Sequence, residues 1–225
     1  MPLAGSGKPR PRLVVFDFDR ALIEPRVAWR YCIEESVMMV TGERPRVEPL
    51  VEEYHLRPWR QALAVVVGSG NGADISRCEE LCEQMFTRSA MKRLLVHEGI
   101  GMALDALRAE RIDMAGISRL PNALALKQSQ STGMDRFMAI VSGTADGERW
   151  SPSERFGECL RLLESEPEEA AFVGFDVLDR REIGRTGAQV FVAGWHPGAD
   201  GGEDAVVGLP GELLAVLQRR WAGRE

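Results

Sequence analysis

The chain has 225 residues, a formal net charge of −6 and a pI near 5.3. A chain of this length buries roughly 70% of the surface its unfolded form exposes, so it needs no disulfide or metal staple, and its acidic balance excludes the broad basic footprint of a nucleic-acid-binding protein. No apolar run reaches the about 18 residues of a membrane-spanning helix, and the four cysteines form no CxxC pair, so a reduced, cytoplasmic protein is expected.

Residues 1–11 are rich in Gly, Pro and basic side chains and are expected to form a mobile tail. Gly5-Ser6-Gly7-Lys8 is not a phosphate loop, because Pro9 stands where Ser or Thr should follow the lysine and the segment precedes a strand instead of following one. Leu13–Phe16 is an apolar run with β-branched members, which predicts a central strand of a parallel sheet covered on both faces. It ends in Asp17 and Asp19, two carboxylates at the point where open α/β sheets bind ligands.

From about Glu24 to Leu95 the apolar spacing is helical: Val27, Tyr31, Val37 and Val40 recur on one face, and Ile75–Leu94 repeats every three or four residues. Gln61–Val67 reads equally as helix or strand, and Gly68-Ser69-Gly70-Asn71-Gly72 as a turn or hinge. Cys78 and Cys82 lie four apart on a helix, but no second pair completes a zinc site, so they read as packing.

Beyond Glu98 helices and strands alternate. The patterns predict helix Ile100–Arg108 before strand Met114–Ile117, helix Pro121–Gln130 before strand Phe137–Val141, and helix Ser153–Glu164 before strand Ala171–Phe175. Helix Asp179–Thr186 then leads to strand Val190–Val192, and a short strand Ala205–Val207 precedes helix Gly211–Trp221. Strands alternating with helices of about ten residues predict an α/β, doubly wound parallel sheet. The core comprises residues 12–23 and 96–225, around an inserted all-helical block at 24–95.

Four segments at successive strand ends carry the chemistry. They are Asp17-Phe18-Asp19-Arg20-Ala21, then Met114-Ala115-Gly116-Ile117-Ser118, then Arg149-Trp150-Ser151-Pro152, and finally Gly174-Phe175-Asp176-Val177-Leu178-Asp179. A spacing of two puts Asp17 and Asp19 on one side of an extended segment. In this order the segments resemble the haloacid dehalogenase superfamily, phosphatase branch, with a helical cap inserted after the first strand. The likeness runs from about Leu13 to the C-terminal helix.

The resemblance implies that Asp17 is the nucleophile forming an aspartyl-phosphate and Asp19 the general acid and then base. It also implies that Ser118 donates to a phosphoryl oxygen, although a Ser just before Pro121 reads equally as a helix cap. Arg149 stands where the family has a lysine; Lys127 falls within a helix. Mg²⁺ would be held among Asp17, Asp19, Asp176 and Asp179, but Phe175 occupies the position of the first acid of the fourth motif. Asp176 can substitute only if the strand ends early or bulges.

Arg20 and Ala21 replace the usual Gly and Thr. Arg20 reads as repelling the cation, as pairing with phosphate, or as a solvated loop arginine. The implied function is a Mg²⁺-dependent phosphatase for a small, anionic phosphorylated metabolite, with neither nucleic acid nor membrane as partner. The competing reading is a degenerate member that acts by binding. The metal-free dehalogenase branch is disfavoured, because Asp19 stands where that branch lacks an acid. His196, in a loop after a core strand, is a further candidate, and Arg26, Trp29, Arg30 and Trp59 of the cap would either meet an anionic ligand or pack the cap.

Overall fold

The apolar run at the start of the chain forms β1 (Leu13–Asp17), buried along its whole length. In the computed structural model, which describes residues 10–47, 59–68, 70–145, 150–196, 198–202 and 204–222, this strand lies inside a sheet. The other short strands are β2 (Ile23–Glu24), β3 (Leu95–Val96), β4 (Asp113–Pro121), β5 (Ile140–Thr144), β6 (Ala170–Gly174), β7 (Gln189–Ala193) and β8 (Ala205–Val207). Six of them form one sheet in the order β5-β4-β1-β6-β7-β8, and every pairing is parallel.

Counted along the core alone, this is the order 3-2-1-4-5-6 of doubly wound sheets, whose strand direction of travel reverses beside the first strand. Consecutive strands run outward from β1 through β4 on one side and through β6 on the other. The carboxyl ends of β1, β4 and β6 therefore meet at the switch point. One buried cluster joins Leu13, Val15, Ala115, Ile117 and Phe172 of the sheet to Phe156, Cys159 and Leu160 of helix Pro152–Leu162 and Ile183 of helix Val177–Gly184.

The chain divides into two compact units, Met1–Ile23 with Val96–Glu225, and Glu24–Leu95. The second unit contains helices Arg26–Thr41, Trp59–Val67 and Gly72–Arg88. Gln61–Val67, ambiguous in sequence, is helical, and a left-handed Gly68 (φ 91°) ends that helix. Ser36, Cys78 and Cys82 are buried within this unit, with Ser36 Oγ 3.2 Å from Cys82 Sγ. Burial pushes the Cys82 thiol up to about 12, which keeps it neutral. Trp29 and Trp59 stack at 3.4 Å, Arg30 pairs with Glu34 at 2.7 Å, and Arg26 with Glu24 at 2.8 Å. These four cap candidates thus have partners inside their own unit.

Two element predictions shift. The strand expected at Phe137–Val141 begins at Ile140, because Phe137 N and Met138 N both donate to Met134 O in a turn. Phe137 and Met138 are buried there without being extended. Of the tail predicted at 1–11, residues 1–9 lie outside the described residues, while Arg10 is anchored to Glu110 by a 2.7 Å ion pair and Pro11 is buried. Among the described residues, no helix is long and apolar enough to cross a membrane.

Candidate active site at the sheet switch point

Extended backbone stops at Asp17. Residues Phe18–Leu22 form a single wide π-helical turn, a rare local form that concentrates at functional sites. Gly116 of β4 makes room for it: a Cβ there would lie 2.7 Å from the Phe18 ring. The turn's carbonyls find donors nearby, with His97 Nε2 on Arg20 O at 3.0 Å, Trp195 Nε1 on Ala21 O at 2.9 Å and His97 N on Leu22 O at 3.1 Å.

Because the segment is coiled, the side-to-side alternation of a strand does not apply. Asp17 and Asp19 have separate sets of partners instead of the shared side predicted from their spacing. Asp19 faces the β4 side. Its Oδ1 accepts from Ser118 Oγ at 2.8 Å and Gln128 Nε2 at 2.9 Å, and its Oδ2 accepts from Arg119 N at 2.8 Å. Three donors on one carboxyl group suit an acceptor-only carboxylate. Ser118 is fully buried, and its hydroxyl also accepts from Leu120 N at 3.1 Å.

Asp17 faces the β6 side, where Arg20 is the centre. Only 2% exposed, Arg20 is the opposite of the solvated loop arginine that the sequence left open. Its Nε and Nη2 each lie 3.1 Å from Asp17 Oδ2, Nη2 lies 3.3 Å from Asp179 Oδ2, and Nη1 lies 3.5 Å from Asp176 Oδ2. Arg119, more exposed, adds a second guanidinium: its Nη2 is 2.7 Å from Asp179 Oδ2 and 3.7 Å from Asp176 Oδ2. Trp150 Nε1 takes the remaining oxygen of Asp179 at 3.2 Å, and the Arg119 guanidinium lies over the Trp150 ring at 5.0 Å.

Asp176 reaches this cluster because β6 ends at Gly174, which removes the strand alternation that would have turned it away. It caps helix Val177–Gly184, accepting from Leu178 N at 2.8 Å and Asp179 N at 3.3 Å. Phe175 points its ring at His196, 4.2 Å between centroids, and at the Arg20 guanidinium, 5.6 Å away. His196 is buried against Phe175 and His97 instead of lying on the surface as a loop histidine would. Arg149 lies outside the described residues, and Lys127 sits exposed on helix Asn122–Thr132.

Burial raises the pKa of Asp17, reinforced by Asp19 and Asp176 and opposed by Arg20 and Arg119. Asp179 is raised for the same first reason, burial. For Asp176 burial also pushes upward, but Arg20, the cap N–H groups and Arg119 outweigh it and the carboxyl is held below its ordinary value.

No protein-family model matches the chain, and no curated protein matches it in sequence. Solved structures do. A Clostridium difficile protein provisionally termed a phosphatase superimposes with a TM-score of 0.80 at 16% identity, over 93% of this chain and 100% of that one. A haloacid dehalogenase-like hydrolase from Streptococcus pneumoniae gives 0.78 at 15% identity over 93% and 99% of the two chains. A HAD-superfamily hydrolase of subfamily IA from Geobacter sulfurreducens gives 0.74 at 18% identity over 95% and 100%. The chain has the haloacid dehalogenase-like fold.

Phosphatases of this fold are associated with Mg²⁺. Carboxylate oxygens are the hard donors that Mg²⁺ requires, and Asp17, Asp176 and Asp179 converge. Yet Oδ2 of each of the three faces the Arg20 guanidinium, and the Asp176 and Asp179 oxygens face Arg119 as well. Asp19 is turned to neutral donors and a backbone amide. An octahedral dication would have to displace a buried, multiply bonded cation, so this arrangement does not fit the ion.

Sequence reasoning missed three participants: Arg119, Gln128 and Trp150. Arg119 had a signal, since it follows Ser118 at the end of β4. Gln128, buried on a helix of weak amphipathicity, had only its improbable burial as a polar residue, which a sequence does not display.

Proposed function

We propose that the protein acts on a small phosphate monoester in this crevice, with Asp17 as the nucleophile toward phosphorus. The observation that carries the reading is the position of Asp17: the last residue of β1, at the switch point of a haloacid dehalogenase-like sheet, beside the ends of β4 and β6. A carboxylate oxygen of Asp17 attacks phosphorus, the bond from phosphorus to the ester oxygen breaks, and the leaving alkoxide takes a proton from Asp19 in its protonated form. Water then attacks phosphorus of the aspartyl-phosphate and gives a proton back to Asp19, the bond from phosphorus to the Asp17 oxygen breaks, and inorganic phosphate leaves. Arg119, 39% exposed at its side chain, is the cation that an incoming phosphoryl group meets first, and Arg20 behind it neutralises Asp17. Ser118 holds Asp19 in place and becomes a phosphate donor only if that bond exchanges.

A second reading, binding of a phosphorylated ligand without turnover, draws support from two bonds to the proposed nucleophile and three to the proposed acid. Arg20 grips Asp17 Oδ2 twice, and three donors address Asp19, two on Oδ1 and one on Oδ2. Hydrolysis of p-nitrophenyl phosphate by the wild type and by Asp17→Asn separates the two. Turnover that falls to the uncatalysed background in the variant is expected for the enzyme. Equal background in both proteins, with inorganic phosphate still bound in calorimetry, supports the binder.

A further inference from the structure

Three carboxylates from two neighbouring strand ends point at one place in the core unit, and a side chain fills it. Arg20 meets Asp17, Asp176 and Asp179 at 3.1–3.5 Å while only 2% exposed. A charge buried so completely is costly unless it is paired, and breaking such pairing is costlier still. Arg20 is therefore a fixed part of the crevice, with its turn held from behind by His97 and Trp195.

Charge bookkeeping points the same way. Arg20 stands where the resembled motif has Gly, which adds one positive charge, and Phe175 stands where it has Asp, which removes one negative charge. The two departures touch each other, with the Arg20 guanidinium 5.6 Å from the Phe175 ring. Together they shift the local formal charge by two positive units, the charge of one divalent cation. Each departure alone leaves a mismatch: Arg20 beside a further acid binds it, and Phe175 without Arg20 leaves three carboxylates to the single guanidinium of Arg119, which pairs with Asp176 and Asp179.

We infer that Arg20 is the resident cation of this crevice, so that the protein handles phosphoryl groups without a divalent metal. The inference rests on the reading of the crevice as a phosphoryl site. A guanidinium differs from a metal ion in what it does there. It supplies fixed, planar N–H donors and neither lowers the pKa of a bound water nor exchanges ligands. An entering phosphate is therefore held by charge-assisted hydrogen bonds from Arg119 and from whichever Arg20 N–H groups it wins from Asp17 and Asp179.

The test uses full-length protein stripped with EDTA and desalted. Calorimetric titration with Mg²⁺ should give no binding heat for the wild type up to about 10 mM, a range in which weak protein carboxylate sites fill. Arg20→Gly, which frees Asp17 and leaves Asp176 and Asp179 with Arg119 as their remaining guanidinium, should gain a Mg²⁺ site at least about tenfold tighter than any wild-type heat. Inorganic phosphate affinity, and turnover where present, should agree within about twofold between EDTA and Mg²⁺ buffers, the scatter expected when no ligand exchange is involved.

Wild-type Mg²⁺ binding in the micromolar range overturns the inference, as does phosphate binding that disappears in EDTA. A folded Arg20→Gly/Arg119→Gln protein that gains no Mg²⁺ site also overturns it, because Arg20 would then not stand at the cation position. If that variant fails to fold, the wild-type titration decides alone. Absence of turnover in every buffer defeats the hydrolase reading but leaves the Mg²⁺ comparison intact, so the two failures are distinguishable.

Discussion

Arg20 and Arg180 are the two largest fully buried side chains among the described residues, and they are buried for different reasons. Arg180 lies on helix Val177–Gly184 and bonds Asp204, Asp200 O and Gly201 O. One carboxylate and two carbonyls make it a pin that fastens the loop before β8. The Arg20 guanidinium is instead surrounded by three carboxylates at the strand ends where ligands bind. Surroundings, and not burial, distinguish an architectural arginine from one that stands in for a bound cation.

The largest effect should come from removing the stand-in. Arg20→Ala leaves Asp17 and Asp179 nearly dry with one cation fewer, and should lose about 3–5 kcal/mol of stability, the range for breaking buried ion pairs. Millimolar Mg²⁺ should restore part of this by binding the folded form. Arg180→Ala should cost about 1–3 kcal/mol, because Asp204 is 33% exposed at its side chain and rehydrates, and Mg²⁺ should restore nothing. Denaturant melts of both variants with and without the ion read the contrast directly; equal rescue of both would erase it.

A subtler difference concerns Asp17. Its folded-state pKa is raised above the ordinary 3.8, chiefly by burial, so its ionised form opposes folding. That penalty is absent below the unfolded pKa and grows as pH rises through the folded pKa. Asp17→Asn should therefore be more stable than the wild type at pH 7, with the gap closing as pH falls toward 4. Thermal melts across this range check the sign. Asp176, held below its ordinary value by Arg20 and the cap N–H groups against its own burial, runs the other way: its contribution is present above the unfolded pKa and lost on acidification.

The smallest effect should come from the Asp19 side, where bonds are neutral. Ser118→Ala removes one of three donors and should cost about 1–2 kcal/mol, read in denaturant melts, without creating a Mg²⁺ site.

Much of the fold was legible in the chain. Hydrophobic period and turn chemistry revealed the parallel, doubly wound core, since short apolar runs such as Leu13–Phe16 and Ala170–Gly174 have few other places to go. The error at β5 arose where apolar residues are buried in a turn, which periodicity alone reads as strand. Of the site, Asp17 could be named from its place at the end of an apolar strand, and Asp176 and Asp179 from the resemblance of their segment to the fourth family motif. The direction of Arg20 could not be read. It depends on the chain coiling immediately after Asp17, on Gly116 leaving room for Phe18, and on acids 156 and 159 residues away lying opposite, none of which is local.

The central claim is that a guanidinium occupies the place of a divalent cation. Crystals of the wild type and of Arg20→Gly soaked in Mn²⁺ and examined by anomalous scattering test it most directly. The account predicts no peak among Asp17, Asp176 and Asp179 in the wild type and a peak there in the variant. A wild-type peak in that position, with Arg20 swung out to solvent, would contradict it.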